Sequence, residues 1–507
     1  MKAKIILAIA VMVISASCSK SFIELDDKQN LTENTFWLTR QDAIQGITAA
    51  YAALQGHDGS KWTLFEEVYT TLAYKGDDID NNQNEPYGKT LASFTNGAEE
   101  SGPWNLWATC YAGIARSNQV IENVPGIEAV PEQERNEIVG EAKFLRAYNY
   151  FILVNGFENV PLVLRFEKDI DKLQAPQASA ADVWKQIEDD LRDAEQVLPE
   201  SYPDAFKGRA TRDAAKSLLG KTYLFQEKWG DAENKFREVY GKYALLDNYE
   251  DNFNALAENG AESVFEIQFS GDRSIADERH SFNFEVAPYV LDGWELLYPS
   301  DWLVTEMKKD VRPNGDYSKR VYGSLFFDAP GSEMWNLATP SEMVSYASVA
   351  SQLNRPSYFK KYAYPYDRGG AYPGSNISVI RYADVLLMYA EALNENNKPG
   401  DAIDMVNEVR ARSGAVALNI ADFNQVQLRE WIRHHERPVE LAMEWGIRWF
   451  DLIRWGRGNT AKLNVKDLLT AHSKPFANNY VENKHIRYPI PAREMAVNPS
   501  LTQNNGY

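Results

Sequence analysis

Leu219-Gly220-Lys221-Thr222-Tyr223, followed by Ala232, Phe236 and Val239, is the stretch that decides the fold. Its spacing is that of a tetratricopeptide-like unit, two antiparallel helices in about 34 residues. Gly220 and Ala232 are small enough to let the helices approach, and Tyr223 and Phe236 fill the space that remains. The spacing returns more loosely at Tyr389, Ala390, Leu393, Ala402, Val406 and Val409. Such a hairpin buries its apolar face only against neighbours, so units of this kind stack. Stacking also explains how 507 residues fold without one very large core.

Working outward, apolar residues recur at three and four from Thr39 (Ala43, Ile47, Ala50, Tyr51, Leu54), again from Trp104 to Ile114, and over 132–151. A further helix is predicted over 181–198, stopped by Pro199. The amphipathic pattern over 428–455 predicts one helix ending at Gly456. Two regions break the periodicity. Residues 76–102 are rich in Asp, Asn and Gly, and 241–375 carry Gly, Pro, Asn and aromatics, with one alternating run, Val264 to Phe269, that reads as a strand. A long irregular region within a compact protein is usually functional. The expectation is a mainly α fold in a single body over 31–507. Its helical repeat scaffold spans about 39–240 and 376–460, around a loop-rich insert at about 241–375 with a few short strands.

The N-terminus sets the compartment. Lys2 and Lys4 precede an apolar run from Ile5 to Ile14 and then Ser15-Ala16-Ser17-Cys18. A basic flank, a short apolar core and small residues at the cut describe a signal peptide over 1–17. The apolar run is too short for a permanent membrane span. Cys18 resembles the lipid-modified cysteine of bacterial lipoproteins, with 18–30 as a tether. The acids Glu24, Asp26 and Asp27 look like signals that send some lipoproteins to the cell surface. Acyl chains contribute about 0.8 kcal/mol per buried CH₂, so two or three anchor a protein without a spanning helix. The 72 acidic residues against 53 basic ones give a net charge of −19, which argues against nucleic acid as a partner. With two cysteines there is no disulfide framework, and Cys110 reads as a small core residue.

Several segments then fall into one pattern: Glu141-Ala142-Lys143-Phe144-Leu145-Arg146-Ala147, Phe157-Glu158-Asn159-Val160-Pro161, Gly208-Arg209-Ala210-Thr211, Arg381-Tyr382-Ala383-Asp384, His435-Glu436-Arg437-Pro438-Val439-Glu440-Leu441, Arg448-Trp449-Phe450-Asp451, and Tyr488-Pro489-Ile490-Pro491. From Cys18 to Tyr507 the chain resembles the SusD/RagB family of outer-membrane nutrient-binding lipoproteins. Pro438 departs from that pattern, where an arginine is usual. The resemblance implies a helical scaffold with a loop-rich ligand-binding half, and a place on the outer face of the outer membrane. It implies oligosaccharide delivery to a SusC-like TonB-dependent transporter, with no catalytic activity. A peptide-binding member of the same fold and a secreted glycoside hydrolase are the alternatives.

The charged motif needs its own reading. Arg433, Glu436, Arg437, Glu440, Glu444 and Arg448 bring opposite charges together on a helix. Each acid has an arginine nearby that keeps it ionised, so ion pairs knitting helices are expected, with no catalytic residue. His434 and His435 are adjacent, whereas a helical zinc site needs two histidines four apart. The loop beginning at Asp78 has Gln83 and Lys89 where a calcium loop requires Gly and Glu. There is no Gly-x-Ser-x-Gly and no phosphate loop. No metal ligand and no cofactor are expected.

A glycan site wants flat aromatics for the sugar faces and Asp, Asn, Gln or Arg for the hydroxyls. Two regions off the repeats offer that mixture. One is Asp77 to Asn82 with Trp62 and Tyr87. The other runs from Trp294 through Tyr298 to Trp335. The candidates are Trp294, Trp335, Tyr87, Asn81, Asp77, Tyr298 and Trp62, while Trp302, Trp104 and Trp107 read as core.

Overall fold

The computed structural model describes residues 36–56, 62–82, 88–167, 174–270, 280–339, 342–364, 374–444 and 446–507, and only the backbone of 62–67. The signal peptide, Cys18, the tether and Tyr87 lie outside the described residues, as does the Trp62 side chain.

Among the described residues, ten helices have eleven residues or more: α1 (Arg40–Ala52), α2 (Trp62–Ala73), α3 (Ser101–Asn123), α4 (Glu132–Phe157), α5 (Ala180–Val197), α6 (Arg212–Phe225), α7 (Trp229–Val239), α8 (Tyr382–Glu395), α9 (Pro399–Ser413) and α10 (Ile447–Arg457). From α3 to α7 each helix packs on the next. The stack then continues across the insert, α7 on α8 and α8 on α9. The expected repeat units are thus α6–α7 and α8–α9. Gly220 allows the first to close, since a Cβ there would lie 2.7 Å from the Phe236 ring. Local chemistry starts the helices where expected. Thr39 and Asp42 form a capping box on α1, and the hydroxyls of Ser179 and Thr211 accept from the amides of Asp182 and Ala214 at the heads of α5 and α6. Cys110 is buried on α3, and burial pushes its thiol well above the usual range.

The predicted helix over 428–455 is two helices. Gln425–Trp431 runs through a π-turn, Ile432–Glu436, into Arg437–Leu441, and the chain then breaks before α10. Pro438 accounts for the π-turn, because proline has no N–H and its ring crowds the preceding turn. At the break Ala442 is extended, and Met443 and Gly446 adopt positive φ of 66° each. Gly446 is required there, since a Cβ would lie 2.5 Å from the Leu72 Cβ.

The insert holds more regular structure than expected. Ser263–Ile267 pairs antiparallel with Ile377–Arg381, closing the insert where it leaves and rejoins the scaffold. Leu325–Phe327 pairs with Ser357–Phe359, and Glu333–Trp335 forms a hairpin with Met343–Ser345. Ile79–Asn81, from the first irregular region, pairs with Leu297–Pro299 from the second.

The charged motif bridges elements instead of laddering one helix. The buried Arg381 reaches Glu440 at 2.6 Å, Glu444 at 2.7 Å and Glu262 at 2.8 Å. Arg320 holds Asp310 at 2.8 Å and Glu436 at 2.6 Å, and Arg410 meets Glu436 at 2.9 Å. Arg437 ties Asp384 of α8 to Asp451 of α10 at 3.0 and 2.7 Å. Burial alone would raise the Glu440 carboxyl, but Arg412, Arg381 and Arg320 outweigh it and hold the group well below the usual carboxylate range.

Candidate functional site

The two irregular regions meet through a short ribbon. Asp80 pairs with Tyr298 and Asn81 with Leu297, and the Asn82 amide extends the ladder to the Leu296 carbonyl at 2.9 Å. The Asn82 side chain also donates to the Glu295 carbonyl at 3.3 Å.

This ribbon consumes three of the candidates. Asp77 is fully buried, clamped by Arg448 at 2.6 and 2.8 Å and by His472 Nδ1 at 2.6 Å. Its carboxylate is therefore a structural anchor, a correction to its expected place among ligand contacts. Burial would raise its pKa, but Arg448 and His472 drive it far below the usual range. Asn81 and Tyr298 are also buried. The Tyr298 hydroxyl donates to the Asn81 carbonyl, and the Arg355 guanidinium covers the Tyr298 ring at 3.8 Å. Neither of these two presents a free face to a sugar. Trp302, expected in the core, is partly buried and stacked on His472, the rings 3.8 Å apart and 9° from parallel. Trp107 is buried, and Trp104 lies half-buried under Arg493.

Trp294 and Trp335 remain partly exposed. A tight turn presents Trp294. Asp292 and Glu295 adopt positive φ of 67° and 53°, and a Cβ on Gly293 would stand 2.0 Å from the Ala287 carbonyl oxygen. Only glycine fits between them. The Trp294 amide donates to the Phe284 carbonyl at 2.6 Å, and the two rings stack at 5.2 Å and 25°. Trp335 sits on the hairpin opposite Met343, and the Leu337 amide ties that hairpin to Leu291 at 3.1 Å, beside the same turn. Its ring meets Tyr364 edge-on at 6.0 Å. The Tyr364 carbonyl in turn accepts from Asn283, next to Phe284, at 3.3 Å.

Phe284 with Trp294 and Trp335 with Tyr364 are thus two partly exposed ring pairs of the loop-rich insert, linked through Asn283. Beside Trp335 and Tyr364 lies a small hollow of about 20 Å³ edged by Glu250, Asn254 and Lys360. Flat rings with amides and charges at their margin suit a ligand with apolar faces and hydroxyl edges. Sequence reasoning missed Phe284, Tyr364 and Arg355. The aromatic alternations Phe282-Asn283-Phe284 and Tyr362-Ala363-Tyr364 were usable signals for the first two, whereas nothing in the local sequence marks Arg355.

Comparison with known proteins places this arrangement. A profile described as the SusD family matches residues 261–507, and one described as starch-binding, associating with outer membrane, matches residues 22–224. The SusD-like protein P25 of Formosa agariphila is 28% identical, with all of both chains aligned. The starch-binding protein SusD of Bacteroides thetaiotaomicron is 22% identical over 75% of this chain and 74% of its own. Among solved structures, a SusD superfamily protein from Bacteroides vulgatus superposes with a TM-score of 0.80 at 24% identity, covering 93% of this chain and all of the other. A laminarin-binding SusD-like protein superposes with a TM-score of 0.73 at 24% identity, over 93% of this chain and all of its own. With both halves of the sequence matched and the whole fold shared, the chain is a member of the SusD/RagB family.

Proposed function

We propose that this protein is a lipid-anchored outer-membrane receptor that binds oligosaccharide or polysaccharide outside the cell and passes it, uncut, to a SusC-like TonB-dependent transporter. The observation that carries the reading is the presence of two partly exposed ring pairs, Phe284 with Trp294 and Trp335 with Tyr364. Relatives named for starch and laminarin binding support a glycan as the cargo. A peptide receptor of this fold would rely on backbone pairing, and the presented rings favour sugars over that. The buried carboxylates of the charged core are committed to arginines, which supports binding without catalysis.

The signal-peptide pattern over 1–17, followed by Cys18, supports the anchor. Among the described residues no helix is long and apolar enough to cross a membrane, so a tethered receptor needs a separate channel to move its cargo. The test of this reading is fatty-acid labelling of the wild type and of Cys18→Ser, together with mild-detergent purification from outer membranes. The wild type takes up label and carries a β-barrel transporter with it. An unlabelled wild type, or one that purifies without a transporter, contradicts the reading.

A further inference from the structure

Arg355 follows Asn354, whose side chain donates to Glu295, the residue after Trp294. It is exposed, yet three contacts hold it. Its guanidinium lies 3.8 Å over the Tyr298 ring, its Nη2 donates to the Tyr298 hydroxyl, and its main-chain amide donates to the Tyr358 hydroxyl at 3.0 Å. The residue beside Trp294 fixes its surroundings. Glu295 accepts from the Tyr358 hydroxyl and, at 2.9 Å, from the side chain of Asn354. The cation is thus positioned by the same turn that presents Trp294.

Its setting differs from that of the paired core arginines. The buried Arg320, Arg381, Arg437 and Arg448 are each ion-paired with carboxylates, and the buried Arg433 and the partly buried Arg457 bond main-chain carbonyls. Arg355 makes no ion pair among the described residues, and its Nε and Nη1 donate to no protein acceptor there. This holds on a chain with 72 acids against 53 basic residues. Nη2 keeps a second N–H, and with Nε–H or Nη1–H it forms one fork of parallel donors, which matches a carboxylate or sulfate. Holding it in place beforehand lowers the ordering cost of binding.

We propose that the ligand of this surface is an anionic glycan, with sugar faces on Trp294 and Trp335 and an acidic substituent, uronate or sulfate ester, on Arg355. The inference rests on the glycan-receptor reading and deepens it by naming the substrate class.

The test is affinity electrophoresis of the full-length protein in gels containing polygalacturonate or its carboxyl-reduced form, alginate, a sulfated carrageenan or its desulfated form, and neutral starch and laminarin. At least one acidic polymer retards the wild type, at least tenfold more strongly than its neutralised counterpart or the neutral polymers. Retardation weakens with added salt. Which polymer class retards distinguishes uronate from sulfate. Arg355→Gln loses about tenfold on that polymer, Arg355→Lys loses less, and both keep the wild-type melting temperature. If a neutral polymer retards the protein as strongly, or Arg355→Gln binds the acidic polymer like wild type, the anionic assignment fails and the receptor reading stands. If no polymer retards the protein, both fail.

Discussion

The main-chain amide of Asn82 donates to the carbonyl of Leu296 at 2.9 Å, joining two irregular regions that lie far apart in the sequence. The bond continues the Ile79–Asn81 ribbon, whose partner strand leads directly out of the turn that presents Trp294. The first irregular region therefore acts mainly as a brace for the second.

This makes Gly293 as important as the ring it positions. A methyl there meets the Ala287 carbonyl oxygen at 2.0 Å, so Gly293→Ala must move the turn. It is expected to weaken glycan binding about as much as Trp294→Ala, roughly tenfold, consistent with the ~0.5–1.5 kcal/mol that aromatic stacking adds beyond area burial. Isothermal titration calorimetry on the two variants checks this. Unchanged affinity for Gly293→Ala would separate the turn from the site.

The charged core is expected to be intolerant of single deletions. Arg381→Met leaves Glu262, Glu440 and Glu444 each short of a partner and costs about 3–5 kcal/mol. Lys185→Ala, which breaks an exposed pair with Asp189, costs less than about 1 kcal/mol. Urea melts of both variants test the contrast, and a comparable loss in the two would refute it.

Two groups give opposite pH dependence. The Asp77 carboxyl is depressed on folding, so its contribution is present above the ordinary pKa of 3.8 and is lost as acid protonates it. Asp77→Asn is expected to be less stable at neutral pH, with a flatter acid limb below about pH 5. His435 is the reverse. Burial lowers its pKa, but Asp310 and Glu306 outweigh that and raise it above the ordinary 6.5. Its stabilisation is complete below 6.5 and is lost as pH rises through the raised value. His435→Gln should remove that alkaline loss, read from denaturant midpoints between pH 6 and 9. A wild-type midpoint that stays flat over this range contradicts the assignment.

Gly220→Ala probes the repeat packing. The added carbon would sit 2.7 Å from the Phe236 ring, an overpacking worth about 1–3 kcal/mol. Thermal denaturation reads it, and a neutral effect would mean that α6 and α7 separate easily.

The helical scaffold was legible because stacked hairpins need small and large residues at fixed offsets, as Gly220 and Phe236 illustrate. The break after Leu441 was hidden because the apolar and charged periodicity continues straight through Pro438 and Gly446. Asp77 was misplaced for another reason. An acid in a polar loop looks solvated until its partners are known, and Arg448 and His472 lie 371 and 395 residues away. Trp294 could be singled out because it lacks helical or strand periodicity, whereas Trp335, chosen on the same ground, lies in the strand Glu333–Trp335. Arg355 could not, since its significance comes from Tyr298, Tyr358 and Glu295 arranged around it.

The most direct test of the central claim is to incubate the full-length protein and its Trp294→Ala/Trp335→Ala double variant with a panel of labelled polysaccharides, following retention of protein and length of polymer together. The account predicts that the wild type is retained by at least one polymer, that the double variant loses most of that retention while melting at the wild-type temperature, and that the polymer keeps its length. Equal retention of the two proteins, or shortening of the polymer by the wild type, would contradict it.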